Sequence, residues 1–347
     1  MKANVLFGIN DLRYTEAPMP TLKKGEVLVK VRAAGICGSD IARVFKTGTY
    51  HFPTIIGHEF SGEVCEVAEK VNSFWIGKKV TVFPLKPCFQ CENCKEKQYE
   101  LCSQYDYLGS RCDGGFAEYV AVPAWNLLEL PDSISFEEAA MMEPTSVALH
   151  ALKQSEFKEG DAIAVIGPGT IGMILCRVAI LLGASKVILI GRNQTKLDFA
   201  RRYGIENTCN SIQSDVFAWI DAKMKGKGVD IAFEGTGAST SLNTCLKIVK
   251  PSGKIVTYGN PIDDIALDKN RYWQILRKQL RIYGIWNSKF GTENNDWTRA
   301  LTLLENRKLD LKSLITHRLP FSQLIDGLNI MRNDTIYSNK IMLIDHE

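Results

Sequence analysis

Apolar and polar positions follow two different periods along this chain. Through the first third they alternate in short runs. Val27–Val31, Ser61–Val67 and Lys79–Phe83 exchange apolar for polar or small residues along their length, the spacing of strands with one face buried. Gly, Pro and Asn separate the runs, and Gly114–Val120 reads as a turn feeding another strand. The pattern predicts a compact β-rich domain, barrel-like in form. A helix is expected over Phe136–Met142.

From Ala162 the pattern changes. Ala162–Ile166 is continuously apolar and runs into a glycine-bearing turn, an apolar helix Met173–Leu182 and a second strand Lys186–Ile190. Val229–Phe233, Lys254–Tyr258 and Ile282–Trp286 are further strands, giving an α/β domain with a doubly wound parallel sheet. Trp297–Leu304 and Phe321–Met331 have helical spacing, and Lys340–Ile344 is the last strand. This final part is expected to return to the first domain, so the predicted domains are 1–147 completed by 290–347, and 148–289.

Composition narrows the function. A chain of 347 residues with 45% hydrophobic and 23% charged residues is that of an ordinary two-domain globular protein. A net charge of +3 is too small to argue for nucleic acid or an anionic membrane. No apolar run reaches the length of a membrane span, and the N-terminus lacks a secretory pattern. A cytoplasmic protein is expected, and its ten cysteines then ask for metal rather than disulfides.

The strongest local signal is Cys88-x-x-Cys91-x-x-Cys94-x7-Cys102. Two-residue gaps turn successive thiolates onto one ion, and the longer loop brings the fourth to close a tetrahedron. Four thiolates leave no open position, so this is read as a structural zinc site. An iron–sulfur cluster uses the same ligands, but nothing else in the chain suggests electron transfer. Cys112 lies outside the spacing.

A second metal set is read from Cys37, His58, Glu59 and Glu143. Sulfur, imidazole and carboxylate together suit a catalytic zinc with an exchangeable position. Ser39, two residues after Cys37, can exchange a proton with an alcohol there, or simply make a serine turn. Glu143 precedes Pro144, where an extended backbone is expected.

The third signal is Gly167-Pro168-Gly169-Thr170-Ile171-Gly172 between a strand and a helix. The first glycine turns the chain, the second admits a pyrophosphate, and the third lets the helix pack closely. At the end of the next strand stand Gly191 and Arg192, with Lys196 one turn on, where an acid would bind a ribose diol. A guanidinium there favours NADP over NAD.

Taken together, Gly35–Asp40, Gly57–Glu59, the four-cysteine run, Glu143-Pro144 and the glycine turn make the chain resemble the zinc-dependent medium-chain dehydrogenases over essentially its full length. Within that family it resembles the polyol dehydrogenase branch. The resemblance implies a GroES-like catalytic domain with a Rossmann domain, assembled as a dimer or tetramer. It implies two zinc ions per chain, the catalytic one on Cys37, His58, Glu59 and Glu143 and the structural one on Cys88, Cys91, Cys94 and Cys102. It also implies oxidation of a polyol or polyol phosphate to a ketose or ketose phosphate. Arg43, Lys46 and Arg111 are the candidates for binding a substrate phosphate. Two departures stand out: Gly191-Arg192 replaces the acid of NAD-using relatives, and Ala42 stands where some alcohol dehydrogenases end a proton relay in histidine. Rival readings are a sorbitol, xylitol or threonine dehydrogenase of the same branch, and a non-catalytic zinc and nucleotide sensor.

Overall fold

The computed structural model describes residues 1–261, 263–333 and 335–345. The chain divides into two compact units, Met1–Ser146 with Lys289–Glu347, and Val147–Ser288.

In the first unit the strand Glu26–Ile36 organises a seven-stranded sheet. One of its edges pairs antiparallel with Glu59–Val67. The other is shared: Tyr119–Pro123 pairs with its first half and Lys340–Ile344 with its last residues. Register shifts at Leu28/Val29 and Val31/Ala33 let one strand serve these partners, because each irregularity bends and twists the strand. The alternating pattern predicts one buried face, but nearly the whole strand is buried, with only Lys30 and Arg32 partly open. Val29, Val31 and Ile36 share a core with Phe60, Val64, Phe116 and Val120, and the helix Leu324–Arg332 adds Leu324 and Leu328. The C-terminal strand therefore completes the sheet begun near the N-terminus.

The helix expected over Phe136–Met142 is two helices, Phe136–Ala140 and Met142–Gln154. Glu143 lies in the first turn of the second rather than in extended backbone. Pro144 is tolerated there because the first-turn amides have no intrahelical partner, so its missing N–H costs nothing.

The second unit is a six-stranded parallel sheet. Its order is Asn207–Asn210, Lys186–Gly191, Ala162–Ile166, Val229–Glu234, Val249–Thr257 and Arg281–Gly284, every pair parallel. Numbered along the chain this is 3-2-1-4-5-6, the Rossmann order. Ala162–Ile166 is buried throughout, as a central strand covered on both faces must be. The fifth strand starts five residues earlier than its apolar run predicts, with a register break after Val229. No helix among the described residues is long and apolar enough to cross a membrane.

Candidate functional site

Strand Glu26–Ile36 ends at Cys37, which caps the short helix Gly38–Ala42. Asp40, fully buried, bends back: its Oδ2 accepts the Cys37 amide at 3.0 Å. Glu59 opens the neighbouring strand, and His58 precedes it. Sheet pairing sets Gly35 opposite Glu59. As a result, donor atoms of Cys37, His58 and Glu59 lie within 4.8 Å of one another, His58 and Glu59 both buried. Glu143 is outside that tight set but faces it. It is 7% exposed, and its Oε1 accepts the Tyr107 hydroxyl at 3.4 Å.

The charges around the set are ordered. Burial alone would raise Asp40, yet the charges of His58 and Arg43 hold it down at about 2. Burial alone would lower His58, and the Asp40 carboxylate outweighs it, holding the ring well above 6.5. His58 Nδ1 is 3.5 Å from Asp40 Oδ1 and 3.4 Å from Arg43 Nη1. The other ring nitrogen is thus left for a metal, the usual arrangement of a ligating histidine backed by a carboxylate. Arg43 Nη1 donates to Asp40 Oδ1 and to Ser39 Oγ, both at 2.8 Å. Burial pushes Glu143 up to about 7, with His58 opposing and the Glu59 charge adding. A metal ligand must be deprotonated, so this carboxyl would have to lose its proton to hold a cation.

Three residues of this neighbourhood escaped the sequence reading. Asp40 had a local signal, since Cys37-x-x-Asp40 is capping-box spacing and the structure forms that box. Tyr107 carried no such signal. Neither did Lys340, whose Nζ meets Glu59 Oε2 from 281 residues away in sequence and donates to Ile36 O at 3.1 Å. Lys340 is 2% exposed and Glu59 1%. Removing one partner of a buried ion pair strands the other charge, at about 3–5 kcal/mol. Lys340→Met is expected to lower unfolding free energy by that order in a denaturant titration. An unchanged midpoint would show that the pair contributes nothing.

The four-cysteine run closes on itself. Sγ atoms of Cys88, Cys91, Cys94 and Cys102 lie within 4.8 Å of one another, and none is in a disulfide. Cys88 Sγ accepts the amides of Gln90 and Cys91 at 3.4 Å, and Cys102 Sγ accepts that of Cys88 at 3.3 Å. Backbone donors from Ser103 and Cys94 bring the Cys91 thiol down to about 6, whereas burial pushes Cys94 up to about 12. Sulfurs crowded this closely and fed by amide donors fit a tetrahedral cation. Cys112 joins neither set.

In the second unit, Gly167 takes φ +116, a left-handed turn that disfavours any side chain. Gly169 caps the helix Thr170–Leu181, and a Cβ there would meet nothing within 4 Å. A Cβ on Gly172 would lie 2.1 Å from Gly167 O. One glycine thus turns, one leaves open space at a helix N-terminus, and one permits contact, a cradle that fits a pyrophosphate. Thr170 and Ile171 form the first turn of that helix. Gly191 packs against the same turn, where a Cβ would meet Pro168 Cγ at 2.6 Å. Arg192 is exposed, and the Lys196 amide donates to Asn193 Oδ1 at 3.1 Å. Glu234, unmarked in the sequence reading, accepts the amides of Thr236 and Gly237 and so shapes the Gly235–Gly237 turn.

A GroES-like unit with two metal-ligand sets and a Rossmann unit with a phosphate cradle define a zinc-dependent alcohol dehydrogenase. Residues 23–132 match the alcohol dehydrogenase GroES-like domain and residues 170–306 the zinc-binding dehydrogenase domain, and the chain belongs to this family of oxidoreductases. It is 34% identical over 336 residues to the galactitol 1-phosphate 5-dehydrogenase of Escherichia coli (strain K12), covering 96% of each chain. The crystal structure of galactitol-1-phosphate dehydrogenase from Escherichia coli superposes with a TM-score of 0.92 at 33% identity, over 99% of this chain and 100% of that one. A putative zinc-binding dehydrogenase from Sinorhizobium meliloti 1021 bound to NADP matches with a TM-score of 0.90 at 27% identity, over 99% of each chain. A short chain alcohol dehydrogenase from Escherichia coli CFT073 complexed with NADH does so with a TM-score of 0.90 at 28%, again over 99% of each chain.

Proposed function

We propose that this protein oxidises a secondary hydroxyl of a polyol or polyol phosphate, of the galactitol 1-phosphate kind, to the ketose, with NAD(P) as acceptor. The observation that carries this reading is the convergence of Cys37, His58 and Glu59 with Glu143 facing them, a mixed donor set that is not closed by thiolates. Zinc held by these residues would supply Lewis acidity towards the substrate hydroxyl, and a dinucleotide at the glycine turn would supply the hydride acceptor. The chain's own residues do the rest. Asp40 fixes the His58 ring. Lys340 holds Glu59. Ser39 Oγ accepts from Arg43, so its own O–H and remaining lone pair are free to exchange a proton with the substrate hydroxyl. A second zinc on Cys88, Cys91, Cys94 and Cys102 braces the lobe.

The exposed Arg192 at the end of the second strand supports a preference for NADP. We read the protein as cytoplasmic and as a homo-oligomer, dimer or tetramer. Support for the assembly is the open edge strand Arg281–Gly284, with Ile282, Trp286, Tyr272 and Leu276 between 45% and 55% exposed nearby in sequence.

Initial rates with free and phosphorylated hexitols, each with NAD and NADP, test the reading. Turnover with at least one pair is expected. Arg192→Ser is expected to raise KM for NADP about tenfold more than KM for NAD, through loss of a charge-assisted contact. No turnover with any pair, in protein carrying its full zinc, would sink the proposal.

A further inference from the structure

Resting on that reading, we infer that Arg111 is the residue that binds the phosphate of a phosphorylated polyol. Three cations were candidates, and the structure separates them. Arg43 spends its guanidinium on Asp40 and Ser39 and lies 3.4 Å from His58. Lys46, in the last turn of the one-turn segment Arg43–Thr47, is exposed and has no side-chain partner among the described residues. Its flexible stem would have to be ordered by the ligand itself, an entropic cost.

Arg111 is held without being neutralised. Its guanidinium carbon lies 4.1 Å from the centre of the Tyr50 ring and 4.4 Å from that of Tyr105. Nη2 donates to the Tyr50 hydroxyl at 3.2 Å. The backbone is fixed as well: His51 Nε2 donates to Arg111 O at 3.1 Å, and the Tyr50 amide donates to Ser110 O at 3.2 Å. Among the described residues no carboxylate comes within 4.0 Å of the guanidinium. Aromatic faces order a guanidinium and leave its charge, and the N–H donors not turned to the tyrosine hydroxyls, unspent. Those donors match two phosphate oxygens. Tyr50 is 69% exposed, so the clamp opens to solvent.

The clamp also stands at a useful place. The Tyr105 ring is 6.5 Å from that of Tyr107, and Tyr107 is 5.8 Å from the His58 ring and bonded to Glu143. Two tyrosine rings therefore separate the guanidinium from the metal-ligand set.

The experiment compares kcat/KM for galactitol 1-phosphate and for galactitol in the zinc-loaded wild type, Arg111→Met and Arg111→Lys, with calorimetric titration of galactitol 1-phosphate into each protein. The wild type is expected to prefer the phosphorylated substrate. Arg111→Met should cut kcat/KM for it by about a hundredfold, the scale of a lost charge-assisted pair. The loss should fall at least about tenfold more heavily on the phosphorylated than on the free polyol. Arg111→Lys keeps the charge without the fork and should recover part of the binding, and it carries the test if Arg111→Met does not fold. Equal losses on both substrates, or a wild type indifferent to the phosphate, would overturn the assignment while leaving the dehydrogenase reading intact. Oxidation of neither polyol by the wild type would overturn this assignment, and the dehydrogenase reading falls with it only if every other hexitol, free or phosphorylated, fails as well.

Discussion

His58→Ala is expected to reduce kcat/KM by at least about a thousandfold, because Lewis-acid stabilisation is worth several kcal/mol and about 1.4 kcal/mol is a factor of ten. The ring is the one imidazole in the set with Cys37 and Glu59, and it is 3% exposed with Asp40 aimed at it. Removing it leaves a sulfur and carboxylates, two of which carry charges that repel. Metal analysis should show one zinc per chain fewer, with the four-cysteine site still loaded. Near-wild-type turnover in His58→Ala would remove the metal set from the reaction.

The second large effect is expected at Cys94→Ser, and it concerns stability. Cys94 is 4% exposed, and its sulfur lies 4.0 Å from that of Cys88. A structural zinc binds with an apparent free energy of about 10–16 kcal/mol in small zinc domains. Even a loss of roughly 3 kcal/mol would lower the melting temperature by about 10 °C in a unit of this size. The damage should spread beyond the lobe. Phe89 and Tyr99 each pack edge-on against Trp125 at 5.0 Å, and Trp125 in turn meets Phe83 and Phe290. Opening the loop therefore loosens an aromatic cluster in the main body. The measurements are zinc content, thermal melting and the rate of proteolysis within 88–102. Retention of both zinc ions and an unchanged melt would show that this cysteine is not a ligand.

Local spacing made much of this protein legible. Cys88 to Cys102 converge because a thiolate ladder with two-residue gaps can fold onto one point with little help from elsewhere. The glycine turn at Gly167–Gly172 is legible for a similar reason, since a left-handed residue and a helix packed against its own turn demand glycine wherever the unit sits. The approach of Cys37 to His58 and Glu59 was read from residue type. It is made by sheet register, Gly35 opposite Glu59, which no local pattern encodes. The helix expected through Met142 broke because periodicity does not report where one amphipathic run ends and the next begins.

What the sequence determined alone was the set of chemistries available: thiolates for a metal, a mixed donor set, a turn for phosphates, two units to carry them. The tertiary structure decided which charges meet. Lys340 reaches Glu59 because the last strand, Lys340–Ile344, pairs with the end of strand Glu26–Ile36. Arg43 is committed to Asp40 and Ser39 because a short helix places them one turn apart. Arg111 keeps its charge because two tyrosines, rather than a carboxylate, close over it. Side-chain identity sets what a group can do, but electrostatic partnership acts over a few ångströms. Chain separation carries no information about that distance until the backbone is folded.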